Sequence, residues 1–118
     1  MITKGNETTI CANVVLDDTG ELIIGNQTHI AEDVVIYTHH HGESERWWIP
    51  EMNKNIIKTK LEIGDNVFIG RRAYILPSCS KIGNKSTIGA MSVVTCDIPG
   101  GEVWAGCPAR FIKKYQND

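Results

Sequence analysis

Three consecutive histidines, His39, His40 and His41, follow Thr38 in this chain. Neutral imidazole accepts a proton near pH 7, so a histidine held beside a bound hydroxyl can act as a general base. Successive side chains of an extended segment point to opposite faces, which puts His39 and His41 on one side and His40 on the other. The same alternation keeps the three from converging on one ion within a single chain, so no metal is expected. Period two leaves both His39 and His41 open as the acting group. Trp47 and Trp48 lie shortly after them. Aromatic faces of this kind stack on the apolar side of sugar rings, or bury themselves in an interface between subunits. Glu43 and Glu45 could orient a histidine or merely solvate the segment that carries them.

The elements that must position these groups have an unusual period. From Ile63 to Asp97 an aliphatic residue recurs about every six positions, at Ile63, Ile69, Ile75, Ile82, Ile88 and Val94. Gly usually follows it, and a small residue sits four places after it, at Val67, Ala73, Cys79, Ser86 and Ser92. Neither a helix nor a simple strand generates that period. A hexad cannot bury its own apolar side chain and must stack on neighbours, so the pattern predicts a parallel β-helix of triangular coils. The aliphatic residue would point inward, the small residue would fill a smaller inner niche, and Gly would permit the corner.

The same pattern reaches back to the start of the chain. Lys4 occupies the aliphatic slot of an exposed first rung, and Ile10 and Leu16 continue it. The step from Leu16 to Ile24 is eight, so Asp17-Asp18-Thr19-Gly20 is expected to bulge from a corner. Ile24, Ile30 and Ile36 then mark one full coil, whose last hexad ends on the histidines. The period vanishes over about 42–60, which predicts a protruding loop, and a loop of that length inside a compact repeat is often functional. Lys81 lengthens one later step to seven. From Pro99-Gly100-Gly101 the ladder gives way to a tail, about 100–118, in which Pro108 could open a short helix with Lys113 and Lys114 near its C-terminal end. Such a segment would cover the open bottom of the β-helix.

Composition narrows the remaining classes. The 118 residues suit one domain, 1–118, and a formal charge of −2 offers no basic footprint for nucleic acid. Cys11, Cys79, Cys96 and Cys107 have neither CxxC spacing nor a secreted-scaffold pattern, which suits free thiols in a reducing compartment. No apolar run approaches a membrane span and no signal-peptide pattern opens the chain, so the cytoplasm is the expected location.

The hexads, the segment Ile88 to Pro99 and the later Ala105-Gly106-Cys107-Pro108-Ala109-Arg110 resemble the hexapeptide-repeat acyltransferases, in particular maltose, galactoside and polysaccharide O-acetyltransferases. The resemblance covers about Gly5 to Lys114. It implies a left-handed parallel β-helix, acyl transfer from acetyl-CoA and a homotrimer with sites between subunits. Many relatives carry further sequence ahead of this point, which suggests a short member or a truncated chain. The family places a catalytic histidine just before the protruding loop, at the position of His41, with His39 as its neighbour. It implies cofactor contacts at Gly89, Ala90, Thr95, Pro108, Arg110, Lys113 and Lys114, where the cations would meet phosphates. Asn13 and Asp17 lie roughly where some sugar-acetylating relatives hold the acceptor. Related γ-class carbonic anhydrases bind zinc through three histidines, but those come from different rungs and subunits. The reading is therefore O-acetylation of a saccharide hydroxyl by direct transfer in a ternary complex, with no cysteine carrying the acyl group. N-acylation of an amino sugar and a catalytically silent β-helix module are the alternatives.

Overall fold

The computed structural model describes residues 1–42, 48 and 55–115. Its strands are β1 (Ile2–Lys4), β2 (Thr9–Ile10), β3 (Val15–Leu16), β4 (Glu21–Ile24), β5 (His29–Ile30), β6 (Val35–Ile36), β7 (His39–His40) and β8 (Ile57–Lys58). They continue as β9 (Lys60–Ile63), β10 (Phe68–Ile69), β11 (Tyr74–Ile75), β12 (Lys81–Ile82), β13 (Thr87–Ile88), β14 (Val93–Val94), β15 (Glu102–Gly106) and β16 (Ala109–Lys114). Most of them form three parallel sheets, the flat sides of a left-handed β-helix. Sheet A runs β1-β4-β9-β12, sheet B β2-β5-β10-β13-β15-β16, and sheet C β3-β6-β11-β14. Each coil passes from sheet A to B to C, and the chain turns at A–B, B–C and C–A corners.

The hexad register follows the apolar pattern directly. Ile10, Ile30, Ile69 and Ile88 stand in one file, and Leu16, Ile36, Ile75 and Val94 in another. Lys4, Ile24, Ile63 and Ile82 form the third, with Lys4 exposed on the first rung as its polar side chain requires. Ile30, Ile36, Ile69, Ile75, Ile82, Ile88 and Val94 are wholly buried. Side chains of this size contribute about 1.5–3 kcal/mol each when removed from water. The niche residues Val67, Ala73, Cys79, Ser86 and Ser92 are buried beside them, as the spacing predicts. Ser86 keeps its hydroxyl satisfied by donating to the Gly83 carbonyl at 2.7 Å.

The corners turn for a different reason than the glycine pattern suggests. Left-handed backbone occurs two residues after the Gly position, at Glu7, Asn13, Gln27, Asp33, Asn66, Arg72, Lys85 and Met91. A non-glycine residue there costs roughly 1–2 kcal/mol. Part of the return is a ladder bond: the Gln27, Asn66 and Lys85 amides each donate 2.9 Å to a carbonyl of the preceding coil. Glycine is needed for close stacking instead. A Cβ on Gly70 would lie 2.6 Å from the Ala90 backbone nitrogen of the next coil. A carboxamide and carboxylate file reinforces the A–B corner, with Asn26, Asp65 and Asn84 each accepting an amide of the coil before at 2.7–2.8 Å.

Two boundaries differ from the sequence expectation. The irregular segment is pinched at its base by an antiparallel ribbon, β7 with β8, in which His39 faces Lys58 and His40 faces Ile57. Regular pairing resumes at Lys60, opposite Glu21, so the protrusion is narrower than 42–60. The C-terminal segment is not helical. It is an antiparallel β15–β16 hairpin, turned at Cys107 and Pro108, with positive φ at Gly101 and Gly106. Pro108 therefore sits in a turn and not at a helix start. Tertiary packing overrides the tail's helical cues: Val103 and Trp104 extend sheet B from Thr87 and Ile88, and Ala109 is buried against the core. Trp104 packs on the same core and donates its indole N–H to Glu102 at 2.9 Å. The hairpin thus covers the last coil, the role expected of a helix.

Candidate active site

The site grows out of the C–A corner of the second coil. Ile36 points inward, Tyr37 turns outward, and Thr38 is wholly buried. The eight-residue step in the coil before supplies the partner that Thr38 needs. Thr38 donates its amide to Asp17 Oδ2 at 2.9 Å and its hydroxyl to the Asp17 carbonyl at 2.7 Å, while accepting the Gly20 amide at 3.0 Å. Thr19 donates to Asp17 Oδ1 from its hydroxyl at 2.6 Å and from its amide at 3.1 Å. His39 Nδ1 completes the set, 2.5 Å from Asp17 Oδ2.

These contacts settle the chemistry of Asp17. Burial alone would push its carboxyl up, but the bonds from Thr19, Thr38 and His39 outweigh it and hold the group well below the usual carboxylate range. An ionised carboxylate can only accept, so Nδ1 of His39 must carry the hydrogen. Neutral His39 is thereby held in one tautomer, with Nε2 as its lone-pair nitrogen. The side chains of His39 and Asp17 are 23% and 11% exposed, so the pair is screened less than a surface pair.

His41 stands exposed on the same side, its ring edge-to-face with His39 at a centroid distance of 5.3 Å. His40 points away, and its Nδ1 accepts the Gly42 amide at 3.1 Å. The alternation expected from period two is thus present. Below His39 an aromatic file continues through Tyr37, 6.0 Å away, to Tyr74, a further 5.6 Å. The sequence reading missed both tyrosines, because nothing in the hexad pattern distinguishes an outward Tyr beside the site from one on any other rung. His29 lies elsewhere, stacked on Phe68 of sheet B at 5.2 Å with Cys11 Sγ 3.6 Å from its Nε2. Among the described residues no group of three or more His, Cys, Asp or Glu side chains is arranged to hold a metal ion.

The other candidates fall on separate parts of the chain. Thr95 shares the C–A corner with Asp17 and Tyr37, two coils below Tyr37. Asn13, Gly89 and Ala90 occupy the B–C corner, across sheet C from the histidines. Within one chain Asn13 and Asp17 are therefore not neighbours, and only packing of two subunits would bring the two corners together. Pro108, Arg110, Lys113 and Lys114 lie on the hairpin, exposed, and among the described residues none of the three cations is in an ion pair. Exposed cations without a carboxylate partner fit the phosphates of a nucleotide cofactor. Trp48 is 63% exposed, while Trp47, Glu43 and Glu45 lie outside the described residues. Asp17 was legible only as an acceptor contact. Its bond to His39 depends on stacking one coil on the next.

No family model matches the chain. The galactoside O-acetyltransferase of Escherichia coli K12 is 36% identical over 107 residues, covering 89% of this chain and 50% of that protein. The hexapeptide-repeat-containing acetyltransferase VCA0836 of Vibrio cholerae superposes with a TM-score of 0.89 at 30% identity, over 98% of this chain and 64% of its own. The Bacillus cereus N-acyltransferase AntD, solved with a dTDP-amino sugar and coenzyme A, shares the fold with a TM-score of 0.72 at 23% identity, over 99% and 62%. The chain spans about half the length of the curated relatives it matches. The hexad ladder, the superposition and the likeness to O-acetyltransferases give this chain the left-handed β-helix of the hexapeptide-repeat acyltransferases, the family it resembles in sequence and structure.

Proposed function

We propose that this β-helix catalyses transfer of an acetyl group from acetyl-CoA to a hydroxyl of a saccharide, within a ternary complex. The observation that carries the reading is the Asp17–His39–His41 arrangement at the base of the irregular segment. Coenzyme A supplies the activated thioester and a thiol leaving group. His41, exposed where the coil ends, takes the proton of the acceptor hydroxyl and returns it to the departing sulfur. His39, tethered by Asp17, packs against the His41 ring and limits its orientation. Backbone N–H groups stabilise the tetrahedral intermediate. Gly89, Ala90, Thr95 and Pro108 let the cofactor approach the chain, and Arg110, Lys113 and Lys114 meet its phosphates. Asn13, Asp17, Trp47 and Trp48 form the acceptor side, with Asp17 acting there through His39. No metal is required.

A specific observation favours a second assignment of the base within the same reaction. Asp17 fixes the tautomer of His39, the feature expected of an oriented general base. His39 would then abstract the proton and His41 would contact the acceptor.

The site is read as intersubunit, in a homotrimer. The histidines and the Gly89–Ala90 corner lie on opposite edges of sheet C in one chain, so cyclic packing would bring the first edge of one subunit to the second edge of its neighbour. A formal charge of −2 gives no basic footprint for nucleic acid, and among the described residues no helix is long and apolar enough to cross a membrane. Cytoplasmic action follows from the cofactor.

Release of free thiol from acetyl-CoA, measured against a panel of sugars, amino sugars and antibiotics, tests the reading. Turnover with sugar hydroxyls is expected. A preference for amines would replace it by N-acylation. Absence of both turnover and CoA binding would leave an assembly module.

A further inference from the structure

The β7–β8 ribbon places a cation where the reaction scheme does not use one. His39 and Lys58 are directly opposed in this antiparallel pair, so their side chains leave the ribbon on the same face, with Cβ atoms about 5 Å apart. Lys58 is exposed, and among the described residues it makes no ion pair. Its neighbour Lys60 is committed differently, 3.1 Å from Glu62 and opposite Glu21 in register. Lys58, Thr59 and Lys60 line a concavity of about 460 Å³ with Met1, Thr19, Gly20 and Glu21. Thr19, one of its lining residues, binds Asp17 through its hydroxyl and amide, which links the concavity to the Asp17–His39 pair through one residue. A volume of this size lies within the range of small-molecule sites and exceeds the needs of one pyranose ring.

From this juxtaposition we infer that the acceptor is an anionic saccharide, one bearing a carboxylate, and that Lys58 reads that carboxylate while a ring hydroxyl is presented to the histidines. The inference rests on the acyl-transfer reading and adds the class of acceptor. With its Cβ about 5 Å from that of His39, the Lys58 ammonium on its flexible four-carbon stem can reach a carboxylate on a pyranose whose hydroxyl faces the histidines. Glu21 lies opposite Lys60 in the sheet A ladder and Glu62 is ion-paired with Lys60 along the same strand, so both carboxylates act on Lys60. Lys58 is a specificity residue in this scheme. It takes no proton and forms no bond.

The test compares acetyl transfer to matched pairs of sugars that differ only in carboxylate against hydroxymethyl, such as glucuronate and glucose or galacturonate and galactose glycosides. The intact chain should prefer the acidic member by about tenfold or more in kcat/KM, chiefly through KM, and the preference should shrink with added salt. Lys58→Met should abolish the preference, with the loss read as a rise in KM for the acidic member, while the Kd for CoA, measured by calorimetry, stays unchanged. Lys58→Glu should invert it. Equal use of both members by the intact chain, or a preference that survives in Lys58→Met, would overturn the inference while leaving the acyl-transfer reading standing. Failure of that broader reading would look different, as no thiol release with either member.

Discussion

At the scale of single residues, the histidines divide by what holds them. His39 is fixed through Nδ1 to a carboxylate that stays ionised, whereas His41 is exposed and restrained by ring packing. Replacing His41 by Ala is expected to lower kcat by about two to four orders of magnitude with CoA affinity nearly intact. His39→Ala should cost less, and His40→Ala least, because His40 faces away. Steady-state kinetics of the three variants decide the assignment: collapse in His39→Ala with near-normal turnover in His41→Ala would move the base to His39. Asp17 gives a second prediction. Its folded-state pKa is depressed, so the ionised form stabilises the fold above the ordinary carboxylate pKa of about 3.9, and that contribution disappears as pH falls through the lower folded value. Asp17→Asn should therefore lower Tm at neutral pH, consistent with a loss of about 1.5–3 kcal/mol for hydrogen bonds to a charged group. The gap between wild type and variant should narrow as pH falls below about 4. Thermal melts followed by circular dichroism across pH 2–7 check this, and a gap independent of pH would refute it.

Among the elements, the C-terminal hairpin matters most for the cofactor. The strand β16 carries its cations on either side of two exposed apolar residues, Phe111 and Ile112, and it forms the edge of sheet B. As a strand it spreads Arg110, Lys113 and Lys114 along an edge, where a helix would have gathered them within one turn. Replacement of each cation by Met is expected to weaken CoA binding more than dephospho-CoA binding if the 3′-phosphate is the contact. The effect should be largest at low salt. Titration calorimetry with both ligands measures it, and equal, negligible changes would show that the cations only solvate the tail. The β7–β8 ribbon is the other decisive element, because it fixes both ends of the irregular segment. It also sets Lys58 opposite His39.

For the whole molecule, the separation of candidate residues onto two corners and a hairpin argues for assembly. The outer row of sheet C, Val15, Val35, Tyr74 and Val93, is apolar between the two corners, and Val15 is 48% exposed. A homotrimer is expected, with activity lost on dissociation. Sedimentation equilibrium combined with the thiol-release assay tests this, and a monomer that still turns over would sink it.

The repeat itself was readable without coordinates. A six-residue period leaves one way to bury its aliphatic residues, so the inward aliphatic and niche positions follow from spacing, as does the alternation of His39 and His41, whereas the stacking of Ile69 on Ile30 across the irregular segment does not. What the sequence could not supply were contacts between residues brought together by stacking. Asp17 meets His39 because an eight-residue step bulges one corner above another, and no local pattern encodes the depth of that bulge. The left-handed corners fall on Arg72, Lys85 and Met91, residues with no preference for that conformation, because the ladder bonds of adjacent coils impose it. The tail carried Pro and Lys signals for a helix, yet the open edge of β13 offered Val103 and Trp104 backbone partners and a core to cover. Edge pairing and burial there outweighed a helical propensity worth only tenths of a kcal/mol per residue.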